Sequence, residues 1–210
     1  GHTRAKLSAL QEQSVQPTVI SPHVKSAGSA WKPENLYISR FHTHPEYPQI
    51  LPMANPSHDP HVRLTELGLT LPPPPKPVAA YIPTRLIGNL LFVSGQIPLK
   101  DGALMATGIV PRDVPIETAQ ECARQCVLNG LAAASAALGS LSRIASVVRV
   151  GCFVACDDSF TDHPKVANGA SELLVEIFGE RGRHARAAVG APSLPLGTPV
   201  EVEFLFEVTP

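Results

Sequence analysis

The 210-residue chain lacks a surplus of charge of either sign. Lysine plus arginine total 17 and aspartate plus glutamate 18, a formal net charge of -1, and no Lys/Arg-rich run breaks that balance. This argues against binding dominated by phosphate-backbone contacts, so no nucleic-acid partner is expected. No apolar stretch approaches the roughly 18 residues of a membrane-spanning helix, and no membrane partner is expected either. Residues 1–30 hold no long apolar core of the kind a signal peptide needs. A cytoplasmic location is expected, with the mitochondrial matrix as the alternative because acidic residues are few near the start.

Cysteine is sparse. The four thiols fall in two C-x3-C pairs, Cys122 with Cys126 on a predicted helix and Cys152 with Cys156 on a predicted strand. Structural zinc sites usually take their close ligand pair from a turn with C-x2-C or similar spacing. Both pairs here sit in apolar runs, where cysteine acts as a small hydrophobe. They read as core thiols, and no metal is expected.

What the chain has in abundance is proline and histidine near its start. The first 62 residues contain six of the eight histidines, and the first 77 contain 13 of the 22 prolines. Proline at that density removes backbone donors and disfavours long regular elements. Yet Trp31, Tyr37, Phe41 and Tyr47 cluster there, so residues 1–62 read as an extension docked on the rest of the protein or on a neighbouring subunit. His42 and His44, near Glu46 and His58, read as a proline-punctuated surface loop in preference to a metal site. Residues 63–77 form a lead-in and a polyproline spacer, an extended arm. A compact domain occupies 78–210.

Within that domain the periodicities predict a short strand over 78–81 and a strand to Gly95 entered through a Gly-Asn turn. A third strand is expected over 103–110. The alanine-rich segment 116–138 repeats small or apolar residues at i, i+3, i+4 and ends at Gly139, a helix with a glycine stop. The β-branched run 144–155 is a strand. A second helix, capped by Thr161 or Asp162, runs through Phe178 to Gly179. Strands at 185–190 and 199–208 complete the order βββαβαββ, an α+β domain with two helices on one face of a mixed sheet. In the last strand Glu201, Glu203 and Glu207 alternate with apolar residues, the period-2 mark of one buried face.

Three segments carry chemistry. Arg186 stands in an apolar run, where an unpaired buried charge is costly and calls for an anionic partner. Fifteen residues on, past a Leu-Pro-x-Gly turn, comes Glu201. Ser94-Gly-Gln-Ile-Pro98 and Asn168-Gly-Ala-Ser171 precede them. In this order and spacing, the segments resemble the RidA/YjgF family, over residues from about 63 to 210. The resemblance implies a chorismate-mutase-like fold, a homotrimer with a cleft at each subunit interface, and hydrolysis of reactive 2-imino or enamino acids to 2-oxo acids and ammonia without a cofactor. It assigns Arg186 to the substrate carboxylate and Glu201 to the water. It lines the cleft with Tyr81, Ser94, Gly95, Asn168 and Ala188. Many relatives carry cysteine at the position of Ala188. A Gly-Arg-His-Ala-Arg segment like 182–186 marks a branch with a less defined substrate.

Guanidinium is planar and always charged, so Arg186 can grip a carboxylate through two parallel hydrogen bonds. That grip fixes the imine carbon relative to one water, and Glu201 can take a proton from the water and return it to the leaving nitrogen. Structural alternatives stand beside each assignment. They are an intersubunit ion pair of Arg186 with Glu201 or Glu203, a solvated Glu201, tight strand packing at Ser94-Gly95, an interface aromatic at Tyr81, and a helix-start hydrogen bond at Asn168. Two further functions remain open: a module that only binds small carboxylates, and, less in keeping with the near-neutral charge, an endoribonuclease.

Overall fold

The computed structural model describes residues 59–74 and 80–210. The aromatic cluster 31–47, the histidines at 42, 44 and 58, and the end of the polyproline spacer lie outside the described residues. The element order is α1 (Pro60–Glu66), β1 (Thr84–Ile87), β2 (Leu90–Gln96), β3 (Leu99–Lys100), β4 (Ala103–Leu104), α2 (Ile116–Leu138), β5 (Ile144–Ala155), α3 (His163–Phe178), β6 (Ala185–Ala191) and β7 (Val200–Val208). Five strands form one mixed sheet in the order β1-β2-β7-β5-β6. β5 and β6 are parallel and joined through α3, while β7 runs antiparallel to both of its neighbours. This is the α+β architecture read from the periodicities and the chorismate-mutase-like fold that the resemblance implies.

The long elements end where their sequences dictate. Gly139 closes α2 with φ 81°, a left-handed conformation natural to glycine, and its N–H returns to the Ser135 carbonyl. Asp162 holds the N-cap position of α3, but its carboxylate pairs with Lys165 instead of capping the backbone. In β7 the residues Val200, Val202, Phe204, Phe206 and Val208 are buried, and those between them are half-exposed. α2 and α3 cover the buried face. α2 approaches so closely at Gly130 that a Cβ there would lie 2.6 Å from the Phe204 ring. The four cysteines are free and buried within this layer. Burial pushes the thiols of Cys122 and Cys152 up to about 11 and about 12, so they stay protonated.

Three local expectations are corrected. Ala80 and Tyr81 are in bends, and the first strand starts only at Thr84, after Pro83; proline has no N–H to give a ladder. Residues 78 and 79 lie outside the described set. The third strand is not 103–110: Ala103–Leu104 pairs with Leu99–Lys100 in a separate two-stranded hairpin, and Val110 makes only an isolated parallel bridge to Cys156. Beyond the hairpin Gly108 has φ 121°, and Ile109 N–H donates to the Asp113 carboxylate, so the chain is held by loop contacts and not by a ladder. The segment read as an extended lead-in begins as helix α1, which straddles the composition break at residue 62. Asp59 caps it by accepting from His61 and Val62 N–H, and also accepts from Ser142 Oγ at 2.7 Å. The Leu141 N–H donates to His61 Nε2, and Leu64 enters the core. A short polar-capped turn with one apolar anchor leaves little periodic signal.

The packing of α3 against α2 depends on Gly169, where a Cβ would strike the backbone carbonyl of Gln120. Gly169→Ala is expected to lower the free energy of unfolding by about 1–3 kcal/mol through overpacking, although alanine is the better helix former by about 1 kcal/mol. Urea denaturation checks this, and an unchanged or raised midpoint would show that the two helices can move apart freely.

Candidate functional site

The predicted site residues fall into two groups on opposite faces of the sheet. Register decides this. On β5, Val150 pairs with Arg186 on one side and Phe204 on the other, whereas Phe153 pairs with Val189 and Glu201. Phe204 points into the helix-covered core, so Arg186, Ala188 and Gly190 emerge on the helix side. Glu201 and Glu203 emerge on the open side. Three positions along β5 separate the two levels, about 10 Å, and β5 itself lies between the strands.

The first group gathers at the edge strand β6. The Arg186 Nη1 donates to Asn168 Oδ1 at 2.9 Å and to Ser171 Oγ at 3.0 Å, both on α3. Those bonds use both hydrogens of Nη1. They leave the edge formed by Nε and Nη2, the edge that matches a carboxylate side-on. Ala188 packs against the core beside Arg186. Within one chain Arg186 makes no ion pair with Glu201 or Glu203, and Glu203 pairs instead with Arg149 at 2.8 Å. Nor is Arg186 buried. It is exposed on the edge strand, so its charge is solvated and does not require a carboxylate within the chain.

The second group gathers on the central strand β7 and its neighbour β2. Glu201 lies across Gly95, where any Cβ would collide with its carboxylate. Glu203 lies across Gly151 in the same way. Burial, reinforced by the charge of Glu203, raises the Glu201 carboxyl above the ordinary carboxylate range. Ser94 Oγ donates to the Ile82 carbonyl at 2.9 Å, fixing the backbone next to Tyr81. Tyr81, Gly95, Gln96, Leu99, Leu128 and Leu196 are among the residues lining a groove of about 1140 Å³. Among the described residues, no cluster of three or more His, Cys, Asp or Glu side chains is placed to hold a metal ion.

Two participants were not singled out from sequence. Ser171 binds Arg186, and His184 Nε2 lies 3.0 Å from Ser171 Oγ while its Nδ1 lies 2.6 Å from the Gly182 carbonyl. The signal was present. Ser171 follows Asn168 by three residues, which places both on one helix face. His184 precedes Arg186 by two, just ahead of β6, which places both on one side of the extended chain.

The chain is similar to known proteins. The model of the YjgF/chorismate mutase-like family, whose description also carries an unproven endoribonuclease label, matches residues 61–208. Protein TCP17 of Trypanosoma cruzi is 42% identical over 146 residues, 69% of this chain and 91% of that protein. A RutC family protein of Pyrococcus horikoshii is 33% identical over 130 residues, 61% of this chain and 87% of the relative. The crystal structure of Atu1372 from Agrobacterium tumefaciens, a protein described as of unknown function, is 46% identical. It covers 71% of this chain and 92% of its own, with a TM-score of 0.67.

The raised Glu201 carboxyl has a consequence for stability. Folding disfavours its charged form, so the native state loses stability as pH rises from the ordinary carboxylate range through the raised value. Glu201→Gln removes that loss. The variant is expected to gain thermal stability relative to the native chain at pH 8, with the gain shrinking toward pH 4. A gain that grows on acidification would show that the carboxylate is stabilised where it sits.

Proposed function

Since the chain belongs to the YjgF/chorismate mutase-like family, we propose that it hydrolyses small 2-imino acids to 2-oxo acids and ammonia, at a cleft completed by a second copy of the chain. The observation that carries this reading is the separation of Arg186 and Glu201 by the sheet. A small imino acid spans only about one hydrogen-bond length beyond its carboxylate, too little to reach from Arg186 to Glu201 of the same molecule. The edge-strand group of one copy, set against the Glu201 group of the next, supplies both. Repeated head to tail, such a heterologous contact closes into a ring, and a homotrimer is the assembly proposed. The open sheet face supports it: Phe92, Val148 and Val189 are 45%, 36% and 46% exposed there, an apolar surface that association would cover.

In this site the Nε–Nη2 edge of Arg186 holds the substrate carboxylate. Water adds to the C=N carbon as its proton passes to Glu201, giving a carbinolamine. Glu201 returns that proton to nitrogen, the C–N bond breaks, and the carbinol hydroxyl gives its proton through Glu201 to the departing ammonia as the C=O forms. From the protonated imine and one water, one ammonium and one 2-oxo acid leave. A base whose carboxyl is raised toward neutrality by burial suits both transfers. The electrophile is the protonated imine itself, so the reaction needs no cofactor. An endoribonuclease reading finds less support. The two histidines of the domain 78–210 are both engaged, His184 with Ser171 and Gly182 and His163 with Cys156 at 3.3 Å, and the net charge is -1.

The test is ammonia release from 2-iminopropanoate made in situ by an amino-acid oxidase. Arg186→Ala and Glu201→Gln are each expected to lower turnover by about 100-fold or more. Co-expressing the two inactive variants is expected to restore about a quarter of native activity, because one trimer interface in four then joins an intact Arg186 to an intact Glu201. No recovery in proven mixed trimers would place both residues' work within one chain and overturn the composite site. Retained 2-oxo acid binding by a native protein that does not turn over the imine would make the site a carboxylate-binding module.

Gly95 has a stricter role in the same scheme. Gly95→Ala must displace the Glu201 carboxylate, and a shift of about 1 Å is expected to cost about 100-fold in kcat. Steady-state kinetics on a folded variant checks this; unaltered kcat would remove Glu201 from the proton transfers.

A further inference from the structure

We propose that Ser171 and His184 are positioning residues that act through Arg186, and that they form a hydrogen-bond chain running in one direction only. The inference rests on Arg186 being the carboxylate clamp, but the chain itself follows from atom types. The Gly182 carbonyl can only accept, so at 2.6 Å the Nδ1 of His184 must donate to it. In the neutral ring Nε2 is then the acceptor. Burial, with the nearby charge of Arg186, lowers the His184 pKa and so favours that neutral ring. Arg186 Nη1 can only donate, so Ser171 Oγ accepts from it at 3.0 Å and turns its own hydrogen to His184 Nε2 at 3.0 Å. With the ring neutral, every donor in the sequence Arg186, Ser171, His184 meets an acceptor, ending at the Gly182 carbonyl.

The far end of the chain is fixed by packing. Gly182 is buried, and a Cβ there would strike the Leu174 carbonyl of α3. The Gly182 carbonyl and Ser171 are thus both referenced to one helix, and His184 spans between them. Asn168 Oδ1 holds the other hydrogen of Nη1 at 2.9 Å. With Nη1 pinned at two points on α3, the guanidinium plane cannot turn, and its Nε–Nη2 edge keeps one orientation. All of these acceptors are uncharged. A carboxylate in their place would hold the arginine as firmly but neutralise it; asparagine, serine and neutral histidine hold it while leaving its positive charge for the ligand.

The experiment uses the full chain with Ser171→Ala, Ser171→Thr, His184→Ala and Arg186→Ala, each checked for native assembly. Two readouts are taken. The first is rotation of the Arg186 guanidinium about its Nε–Cζ bond, followed by 15N NMR, which needs no substrate. Slow rotation is expected in the native chain, fast in Ser171→Ala, intermediate in His184→Ala, and slow again in Ser171→Thr. The second is steady-state hydrolysis of 2-iminopropanoate. Ser171→Ala is expected to raise KM about 10-fold, the loss of one hydrogen bond to a charged group, with kcat within about twofold of native. Ser171→Thr restores the native KM. A general packing defect would not produce this division between KM and kcat, nor its rescue by a hydroxyl. Unchanged rotation in both Ser171→Ala and His184→Ala overturns the proposal whether or not the enzyme turns over. If Arg186→Ala hydrolyses as the native chain does, the clamp reading fails, and the rotation measurements alone decide the hydrogen-bond chain.

Discussion

Strand β7 sits at the centre of the sheet, bonded on both sides, and its strict alternation sorts the whole molecule into two faces. Every second residue from Val200 to Val208 must be apolar, because α2 and α3 lie on that side and a buried glutamate there would be unpaired. Every residue between is forced to the other side, which places Glu201 and Glu203 on the open face together. From Arg149 to Val154, beyond two register shifts, β5 copies this alternation by pairing with β7, and β6 receives it from β5. The side on which Arg186 emerges is thus set two strands away. A slip of one residue in either pairing would carry Arg186 to the open face and destroy its contacts with Asn168 and Ser171.

The same constraint explains the glycines that matter. Two glutamates on neighbouring positions of one face need room to lie flat, and Gly95 and Gly151 provide it beneath them. Gly130 and Gly169 act on the other face, bringing α2 onto the Phe204 ring and α3 onto α2. The residues that look permissive in sequence are therefore the least free in the fold, since each is fixed by a neighbour's side chain or backbone in contact range.

Much of this was legible from the sequence. The segments 116–138 and 144–155 coincide with α2 and β5 because each has an unbroken period and a clear stop, Gly139 for the helix and the β-branched run itself for the strand. The alternation of β7 read directly as one buried face. Elements without a period were not legible. α1 has seven residues and is held by Asp59 and His61 reaching to the turn at 140–142, partners some 80 residues away in the chain. The β3–β4 hairpin has only two residues per strand. For the candidate site, the family resemblance singled out Arg186 and Glu201, but the sequence did not show that the sheet divides them, because facing depends on register across β5, and register is a property of paired strands and not of either strand alone.

The division of charge between the two groups gives the arrangement its chemical sense. Arg149 neutralises Glu203 at 2.8 Å, so the ion pair on the open face involves the glutamate that does not touch Gly95. Glu201 is left with burial and a like charge beside it, and Arg186 with neutral acceptors. Each group thus keeps one charge for an external partner, and the two charges are of opposite sign. A 2-imino acid carries the complementary pair: an anionic carboxylate and, once protonated, a cationic nitrogen one carbon away. A ligand with only a carboxylate would satisfy Arg186 and leave Glu201 uncompensated. On the proposed function, selection for the imine over its 2-oxo product follows from that second charge, which disappears as ammonia leaves, so the step that completes the reaction also weakens the hold on its product.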